Sequence, residues 1–97
     1  MFLINISKSE IHTRYRKWIT GGEIGWFINP PEEYAGIYKG QLLNENPHSK
    51  GIYTFNSNCK YVGEWRNGHR RGSGVYIDNI GNTWKVNLTE SEISIRY

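Results

Sequence analysis

Residues 61–84 read YVGEWRNGHRRGSGVYIDNIGNTW, with aromatic residues and glycines alternating on both sides of a turn signal. Tyr61, Gly63 and Trp65 are two residues apart, so in a β-strand their side chains share one face. The Asn67-Gly68 pair that follows is a strong hairpin signal, because tight hairpin turns require positive φ. One face of the returning strand carries Gly72, Gly74 and Tyr76. The segment therefore predicts a β-hairpin.

The rings and glycines of this hairpin are complementary. A glycine has no side chain, so an aromatic ring on a neighbouring strand can lie flat over it, an arrangement called aromatic rescue. A single hairpin cannot bury a face that is covered with aromatic side chains, so it must stack against neighbouring units. The segment is therefore expected to be one unit of a larger antiparallel sheet.

A repeat of 23 residues extends from this unit towards the N-terminus. Twenty-three residues separate Tyr61 from Trp84, and position 49, where this spacing predicts glycine, holds Ser49. Stepping back by the same spacing places Tyr38, Gly40, Gly51, Tyr53 and Asn58 under Tyr61, Gly63, Gly74, Tyr76 and Gly81. Asn58 fits beneath a glycine because asparagine tolerates positive φ better than most residues.

A second alignment competes with the first. Residues 34–38, YAGIY, resemble residues 61–65, YVGEW, more closely than the 23-residue spacing does. This alignment requires a four-residue insertion within Gln41–Lys50, where Asn44–His48 is expected to be an exposed loop. We favour this second alignment. A fainter echo, Trp18–Gly21 followed by Gly25, lies further upstream.

The pattern in residues 61–84 resembles the MORN (membrane occupation and recognition nexus) repeat. The matching residues are Tyr61, Gly63, Trp65, Gly68, Gly72, Gly74, Tyr76 and Gly81. Residues 34–60 match partially and residues 15–33 only faintly, which suggests two to three repeats. The resemblance implies stacked hairpins in an elongated, twisted antiparallel sheet with an aromatic groove. Proteins similar to this are usually scaffolds that bind other proteins, often at cytoskeletal structures or membranes.

Length and composition agree with a small all-β domain. The chain has 97 residues, enough for one domain, with four Trp, seven Tyr, three Phe and 11 Gly. β-branched and aromatic residues suit a pleated, half-buried surface, and glycine suits turns and bulges. We expect a single domain, 1–97, in four parts. They are a degenerate repeat or N-terminal cap (1–33), a partial repeat with a loop insertion (34–60), a clear repeat (61–84) and C-terminal capping strands (85–97).

The two ends are expected to be strands as well. Apolar and polar residues alternate in Trp84–Leu88 and in Ile93–Tyr97. Phe2–Ser7 and Arg14–Thr20 could pair as capping or edge strands, which the ends of a repeat array need. A short helix could instead lie in Ser7–Tyr15 or Thr89–Glu92.

Charge and cysteine content narrow the class of protein. The net charge of +3 is far from the dense basic stripe of a dedicated nucleic-acid binder. The single cysteine, Cys59, excludes an internal disulfide and suits a reducing compartment. We find no signal peptide and no apolar run long enough to span a membrane. We therefore expect a cytoplasmic protein, and the MORN resemblance adds association with the cytoskeleton or with membranes.

No catalytic or metal-binding motif is recognisable. His12, His48 and His69 have no ligand spacing, and one cysteine cannot build a zinc site. Gly72-Ser73-Gly74 lacks the third glycine and the helix of a dinucleotide motif, and the repeat explains its glycines. We expect no enzyme activity, no catalytic residues, no metal, no cofactor and no small-molecule substrate.

The aromatic and basic residues are the candidate sites. Each ring either packs in the core or forms a docking surface, since Trp, Tyr and Arg dominate binding hot spots. The candidate partner-binding residues are Trp18, Trp26, Tyr34, Tyr38, Trp65, Tyr76 and Trp84. Two basic clusters could bind anions or simply be solvated: Arg14, Arg16 and Lys17 in one, and His69, Arg70 and Arg71 in the other. If the two clusters converge on one face, anion binding gains support.

We therefore predict a non-catalytic protein-interaction module, a small scaffold, adaptor or inhibitor. It would dock onto a larger protein or assembly through an aromatic sheet face with basic edges. The alternative is an anion-binding module for membrane lipid headgroups or nucleic acid, which high salt would weaken because phosphate contacts release counterions. Self-association of the chain and a role as an accessory domain of an enzyme also stay open.

Overall fold

The computed structural model describes residues 11–88, which form one seven-stranded antiparallel sheet. In chain order the strands are β1 (His12–Ile19), β2 (Glu23–Phe27), β3 (Gly36–Leu43), β4 (Asn46–Phe55), β5 (Lys60–Arg66), β6 (His69–Ile77) and β7 (Thr83–Leu88). The predicted all-β class is confirmed, and residues 11–88 contain no helix.

The expectations for the two ends are met in part. Most of Arg14–Thr20 and all of Trp84–Leu88 are strand. The edge position expected for Arg14–Thr20 is wrong, because β1 lies between β2 and β3. The helix suggested for Ser7–Tyr15 is wrong from His12 onward, because those residues belong to β1. The remaining terminal predictions fall at residues 1–10 and 89–97, outside the described residues.

The strand order is β2-β1-β3-β4-β5-β6-β7, so the first hairpin joins the sheet differently from the others. In the hairpins β3–β4 and β5–β6, the second strand pairs with the next strand along the chain. In the hairpin β1–β2, the first strand pairs with β3, which leaves β2 outermost. The connection 28–35 crosses from one side of β1 to the other, and the Ala35 amide donates to the carbonyl of Arg16 within β1 at 2.7 Å.

The strand registers support the 23-residue spacing. Tyr38 faces Tyr53 and Gly40 faces Gly51 across β3–β4. The same pairs recur across β5–β6, where Tyr61 faces Tyr76 and Gly63 faces Gly74. A β-bulge follows the first glycine of each hairpin, at Gly40 and at Gly63.

The favoured alignment of Tyr34 with Tyr61 is therefore wrong. Tyr34 precedes β3, and its ring packs edge-on against Tyr15 with the ring centroids 5.0 Å apart. The predicted four-residue insertion and the loop over Asn44–His48 are wrong as well, because β3 and β4 are joined by the two-residue turn Asn44-Glu45. Pro47 lies in β4 and is among the most buried residues.

Left-handed backbone conformations recur at the same spacing. Glu45, at φ +67°, lies 23 positions before Gly68, at φ +85°. Ser49, at φ +69°, stands where the second hairpin has Gly72, at φ +70°. The further pairs are Asn44 with Asn67 and Asn58 with Gly81. The first hairpin therefore keeps the backbone of the second although its glycines have been replaced.

Replacing Ser49 with glycine should raise the free energy of unfolding by about 0.5–1 kcal/mol. The left-handed conformation costs a residue with a Cβ about 1–2 kcal/mol, and the extra flexibility of glycine in the unfolded chain offsets part of the gain. Chemical denaturation followed by circular dichroism measures the change. The reciprocal Gly72→Ser should destabilise, because its Cβ would also lie 2.7 Å from Glu64 Oε1. A loss of stability in Ser49→Gly, or no loss in Gly72→Ser, would contradict the assigned backbone equivalence.

The sheet is rolled, and its inner face holds the core. Trp26 of β2 and Trp65 of β5 have ring centroids 6.1 Å apart. Four strand spacings separate β2 from β5, which in a flat sheet amounts to about 19 Å. The sheet therefore curls until the first hairpin closes over the second repeat, instead of extending as the MORN resemblance implied. The buried cluster on the inner face comprises Tyr38, Tyr53, Tyr61, Trp65, Val86 and Leu88.

Candidate binding cleft

A row of aromatic rings crosses the inner face beside a row of glycines. The aromatic row is Tyr38, Tyr53, Tyr61, Tyr76 and Trp84, and the glycine row is Gly40, Gly51, Gly63 and Gly74. The ring of Tyr38 lies on Gly51, and that of Tyr61 lies on Gly74. The two rows fit together only because the glycines have no side chains.

The β-bulges provide hydrogen-bond acceptors for two of these tyrosines. Tyr61 Oη donates to the Glu64 carbonyl at 3.0 Å, and Tyr38 Oη donates to the Gln41 carbonyl at 2.6 Å. Burial raises the pKa of Tyr61 to about 12 and also raises the pKa of Tyr38. Both hydroxyls are therefore neutral donors that fix their rings over the glycines.

Alkaline pH should unfold the domain through these buried hydroxyls. The pKa of Tyr61 is about 12 in the folded chain against an ordinary value of 10.0, so folding favours the protonated form. The stabilisation is complete below pH 10 and falls by about 1.4 kcal/mol per pH unit as the pH rises from 10 to 12. Denaturation curves measured across this range, with phenolate absorbance as a second signal, test the expectation. Tyr61→Phe should show a shallower loss, and an unchanged slope would contradict the assignment.

The candidate partner-binding aromatics divide by exposure. Tyr38 and Trp65 are 0% and 5% exposed, so these two rings pack in the core. Trp18 is 57% exposed. The other four are partly buried: Trp26, Tyr34, Tyr76 and Trp84. A partner can therefore reach Trp18 directly, whereas Tyr38 and Trp65 support the sheet from within.

A cleft lies where the first hairpin meets the turns of the other two. It consists of two adjoining cavities that share the lining residues Ile24, Trp26, Gly68 and His69. The inner cavity, of about 80 Å³, is also lined by Arg16, Tyr53, Trp65, Arg70 and Leu88. The outer cavity, of about 410 Å³, is also lined by Trp18, Gly22, Glu23, Asn46 and Asn67. We call the two cavities together the hairpin cleft.

The two predicted basic clusters converge in part on this cleft. Arg16 from the first and His69 and Arg70 from the second line the inner cavity. The Arg16 guanidinium lies over the rings of Trp18 and Tyr53, at 5.4 and 5.7 Å from their centroids. The Arg70 guanidinium lies over Phe55 and Tyr61, at 5.6 and 5.8 Å. Both cations are thus held on the aromatic inner face.

The remaining basic candidates lie elsewhere. Arg14 is 9% exposed and forms an ion pair with Glu45 at 3.2 Å. Lys17 follows Arg16 in β1, and strand alternation puts it on the outer face. Arg71 lines a third cavity together with Glu64. Half of the predicted basic set, Arg16, His69 and Arg70, is therefore brought together.

Sequence reasoning missed two residues that shape the cleft, Ile24 and Tyr53. Tyr53 could have been found, since it lies 23 positions before the candidate Tyr76 and occupies the equivalent position of the repeat. Ile24 carries no such signal, because it reaches the cleft only through the curl of the sheet. Residues 11–88 include no group of three histidine, cysteine or acidic side chains suited to a metal ion. Across the same residues there is no helix with the length and apolar character needed to cross a membrane.

Comparison with known families gives a match to the two central hairpins, β3–β4 and β5–β6. The family model for the MORN repeat matches residues 38–60 and 61–83. Both matches begin at the tyrosine whose ring covers a glycine in the next strand, and they follow the 23-residue register. The match runs from Tyr38 within β3 to Thr83 at the start of β7, and it leaves the first hairpin outside.

One curated relative shares part of the sequence. A protein named "Inactive protein tyrosine kinase pTKL" from Plasmodium falciparum (isolate 3D7) is 36% identical over 63 residues. The aligned region covers 60% of this chain and 4% of that protein. The chain therefore spans only a small part of the relative's length, and the likeness concerns a segment rather than a whole protein.

Proposed function

Residues 38–83 are two adjacent MORN repeats, and on that premise we propose that the chain is a non-catalytic protein-interaction module. MORN repeats commonly mediate contacts with proteins or membranes and are generally non-catalytic. We propose that this chain acts as a small scaffold, adaptor or inhibitor that docks through its aromatic inner face onto a larger protein or assembly.

The observation that carries the proposal is the hairpin cleft with an exposed tryptophan at its rim. Trp18 keeps 57% of its surface exposed, although it lies next to the partly buried Trp26 in the outer cavity. Exposed aromatic surface beside a cavity of this size is typical of a binding hot spot. Tyr76 and Trp84 are partly buried rings that extend the proposed docking face, whereas Tyr38 and Trp65 would support it from beneath. Tyr34 packs against Tyr15, which shares the outer face of β1 with Lys17, so we leave it out of the proposed docking face.

Affinity capture of the tagged chain from its native extract, with low-salt and high-salt washes, tests this function. A stoichiometric protein partner should survive high salt and should be lost when Trp18 is replaced by alanine. Ile80→Ala is the matched control, because Ile80 is 80% exposed and lies in the turn before β7, outside the cleft lining. Recovery of lipid or nucleic acid alone, removed by high salt, would contradict the proposal.

The second candidate function, binding of anionic lipid headgroups or nucleic acid, is favoured by one observation. Arg16, His69 and Arg70 come from distant parts of the sequence and line the same cavity. Affinity for phosphate groups would fall steeply with salt, in proportion to the number of phosphates contacted. This dependence separates the second candidate from the first.

The proposal also covers the domain organisation of the chain, its cellular location and its self-association. We propose that residues 1–97 form a single domain, with the hairpin β1–β2 as its N-terminal cap and residues beyond Trp84 as the C-terminal cap. We also propose a cytoplasmic location, with association to the cytoskeleton or to membranes through the partner. Self-association is a further proposal, which sedimentation of the purified chain would test.

A further inference from the structure

The hairpin cleft differs in chemistry between its two cavities. None of the described residues that line the inner cavity is acidic, and two of them are arginines. The outer cavity contains the exposed Trp18 and the carboxylate of Glu23. An anion is therefore favoured in the inner cavity, whereas Glu23 repels it from the outer one.

The inner cavity suits a small anionic group. Its volume of about 80 Å³ is well below the roughly 300–1,000 Å³ of sites for drug-sized ligands. The Arg16 guanidinium rests on ring faces and has no ion-pair partner among residues 11–88. A guanidinium stacked on a ring keeps its N–H groups in its own plane, where they can donate two parallel hydrogen bonds to a carboxylate.

The outer cavity suits an apolar or aromatic side chain. Trp18, Ile24 and Trp26 line it, and its volume of about 410 Å³ is large enough to hold such a group. The two cavities share Ile24, Trp26, Gly68 and His69, so one ligand can occupy both at once. The ligand therefore combines a small anion with a neighbouring apolar group.

The shape of the sheet favours a peptide over a membrane or a nucleic acid as the ligand of the cleft. The inner cavity lies on the inner face of a rolled sheet, which a planar bilayer surface cannot approach but an extended peptide can enter. A nucleic-acid binder needs cations that follow successive phosphates. Here Arg14 is paired with Glu45, and Lys17 lies on the outer face.

We propose that the partner presents an extended acidic segment in which an aspartate or glutamate lies beside an aromatic or aliphatic residue. The carboxylate binds Arg16 and Arg70 in the inner cavity, and the apolar neighbour occupies the outer cavity against Trp18 and Trp26. This inference rests on the proposed function, since it names the partner chemistry of the same cleft. Arg16, Trp18, Ile24 and Trp26 belong to the first hairpin, outside the two matched repeats. The specificity would therefore be a property of this chain and not of the repeat alone.

Selection from a random peptide library displayed on phage, with the purified full chain as bait, tests the inference. The enriched peptides should share an acidic residue adjacent to an apolar or aromatic one. In the best synthetic peptide, replacing the acidic residue by its amide should weaken binding about 10-fold or more, as expected for loss of a charge-assisted hydrogen-bonded pair. Arg16→Gln should weaken the unmodified peptide similarly, and the two changes together should cost little more than either alone.

Lys17→Gln is the matched control, because it removes the same charge from the neighbouring residue on the opposite face. It should change the affinity less than about 2-fold. Circular dichroism establishes that each variant is folded, and Arg70→Gln replaces Arg16→Gln if the latter does not fold. The amide substitution in the peptide requires no change to the protein at all.

The outcomes distinguish a failure of the acidic-segment inference from a failure of the proposed protein-binding function. Enriched peptides that lack an acidic residue, or that bind Arg16→Gln unchanged, would overturn the acidic-segment inference and leave protein binding in place. Failure to enrich any peptide, together with Arg16-dependent binding to phosphatidylserine vesicles, would overturn both and support the anion-binding alternative.

Discussion

Replacing Trp65 with alanine should lower the free energy of unfolding by about 3–5 kcal/mol, the range expected for removing a buried aromatic side chain. The Trp65 ring meets Tyr38 at 5.1 Å and Tyr61 at 5.6 Å between centroids. Its Nε1 also donates to the Gly51 carbonyl at 3.3 Å, so the truncation leaves a buried acceptor as well as a cavity. A small domain has only about 5–15 kcal/mol in total, so we expect a large shift in the denaturation midpoint.

Trp18→Ala is the matched control for this prediction. Trp18 is the same residue type on the same face of the sheet, but it is 57% exposed. Its loss removes a stacking partner of Arg16, at 5.4 Å, and should cost at most about 1 kcal/mol. The opposite pattern, a stable Trp65→Ala variant and an unstable Trp18→Ala variant, would show that the two rings have been assigned the wrong roles.

The hairpin of residues 61–84 was predictable because its signals are local. Asn67-Gly68 adopts the positive φ that a tight turn requires, at +51° and +85°. Tyr61 and Trp65 lie on one face, as the two-residue spacing predicts. Strand alternation and turn chemistry act over a few residues, so a single sequence is enough to reveal them.

The register of the first repeat could not be chosen from the sequence because two signals conflicted. Glu45 and Ser49 hold left-handed conformations without the glycines that normally mark them. At the same time Tyr34 and Gly36 have the spacing that marks the start of a repeat, but they lie four residues before the true start at Tyr38. Cross-strand pairing of Tyr38 with Tyr53 resolves the conflict, and it depends on residues that are distant in the chain.

The hairpin cleft was beyond sequence reasoning for a similar reason. Nothing local shows that β1 enters the sheet between β2 and β3, or that the sheet curls until Trp26 reaches Trp65. These two features bring Arg16 and Arg70 to the lining of one cavity. The sequence identified both basic clusters, and only the fold shows which members of each meet.

Replacing Gly74 with alanine should destabilise the domain by about 3 kcal/mol, at the upper end of the usual cost of overpacking. A Cβ at this position would lie 2.5 Å from Tyr61 Cε1, far inside van der Waals contact. Tyr61 cannot easily move aside, because its hydroxyl is fixed on the Glu64 carbonyl and Trp65 packs against its ring. Urea denaturation followed by tryptophan fluorescence measures the change.

Ser73→Ala is the control for this substitution. Ser73 neighbours Gly74 but is exposed, so its replacement should change stability by less than about 0.5 kcal/mol. Gly51→Ala should match Gly74→Ala, because the Tyr38 ring lies on Gly51 in the same way one repeat earlier. If alanine is tolerated at both positions, the tyrosine rings do not lie on the glycines. The glycines at these two strand positions would then need another explanation, since glycine within a strand otherwise only weakens it.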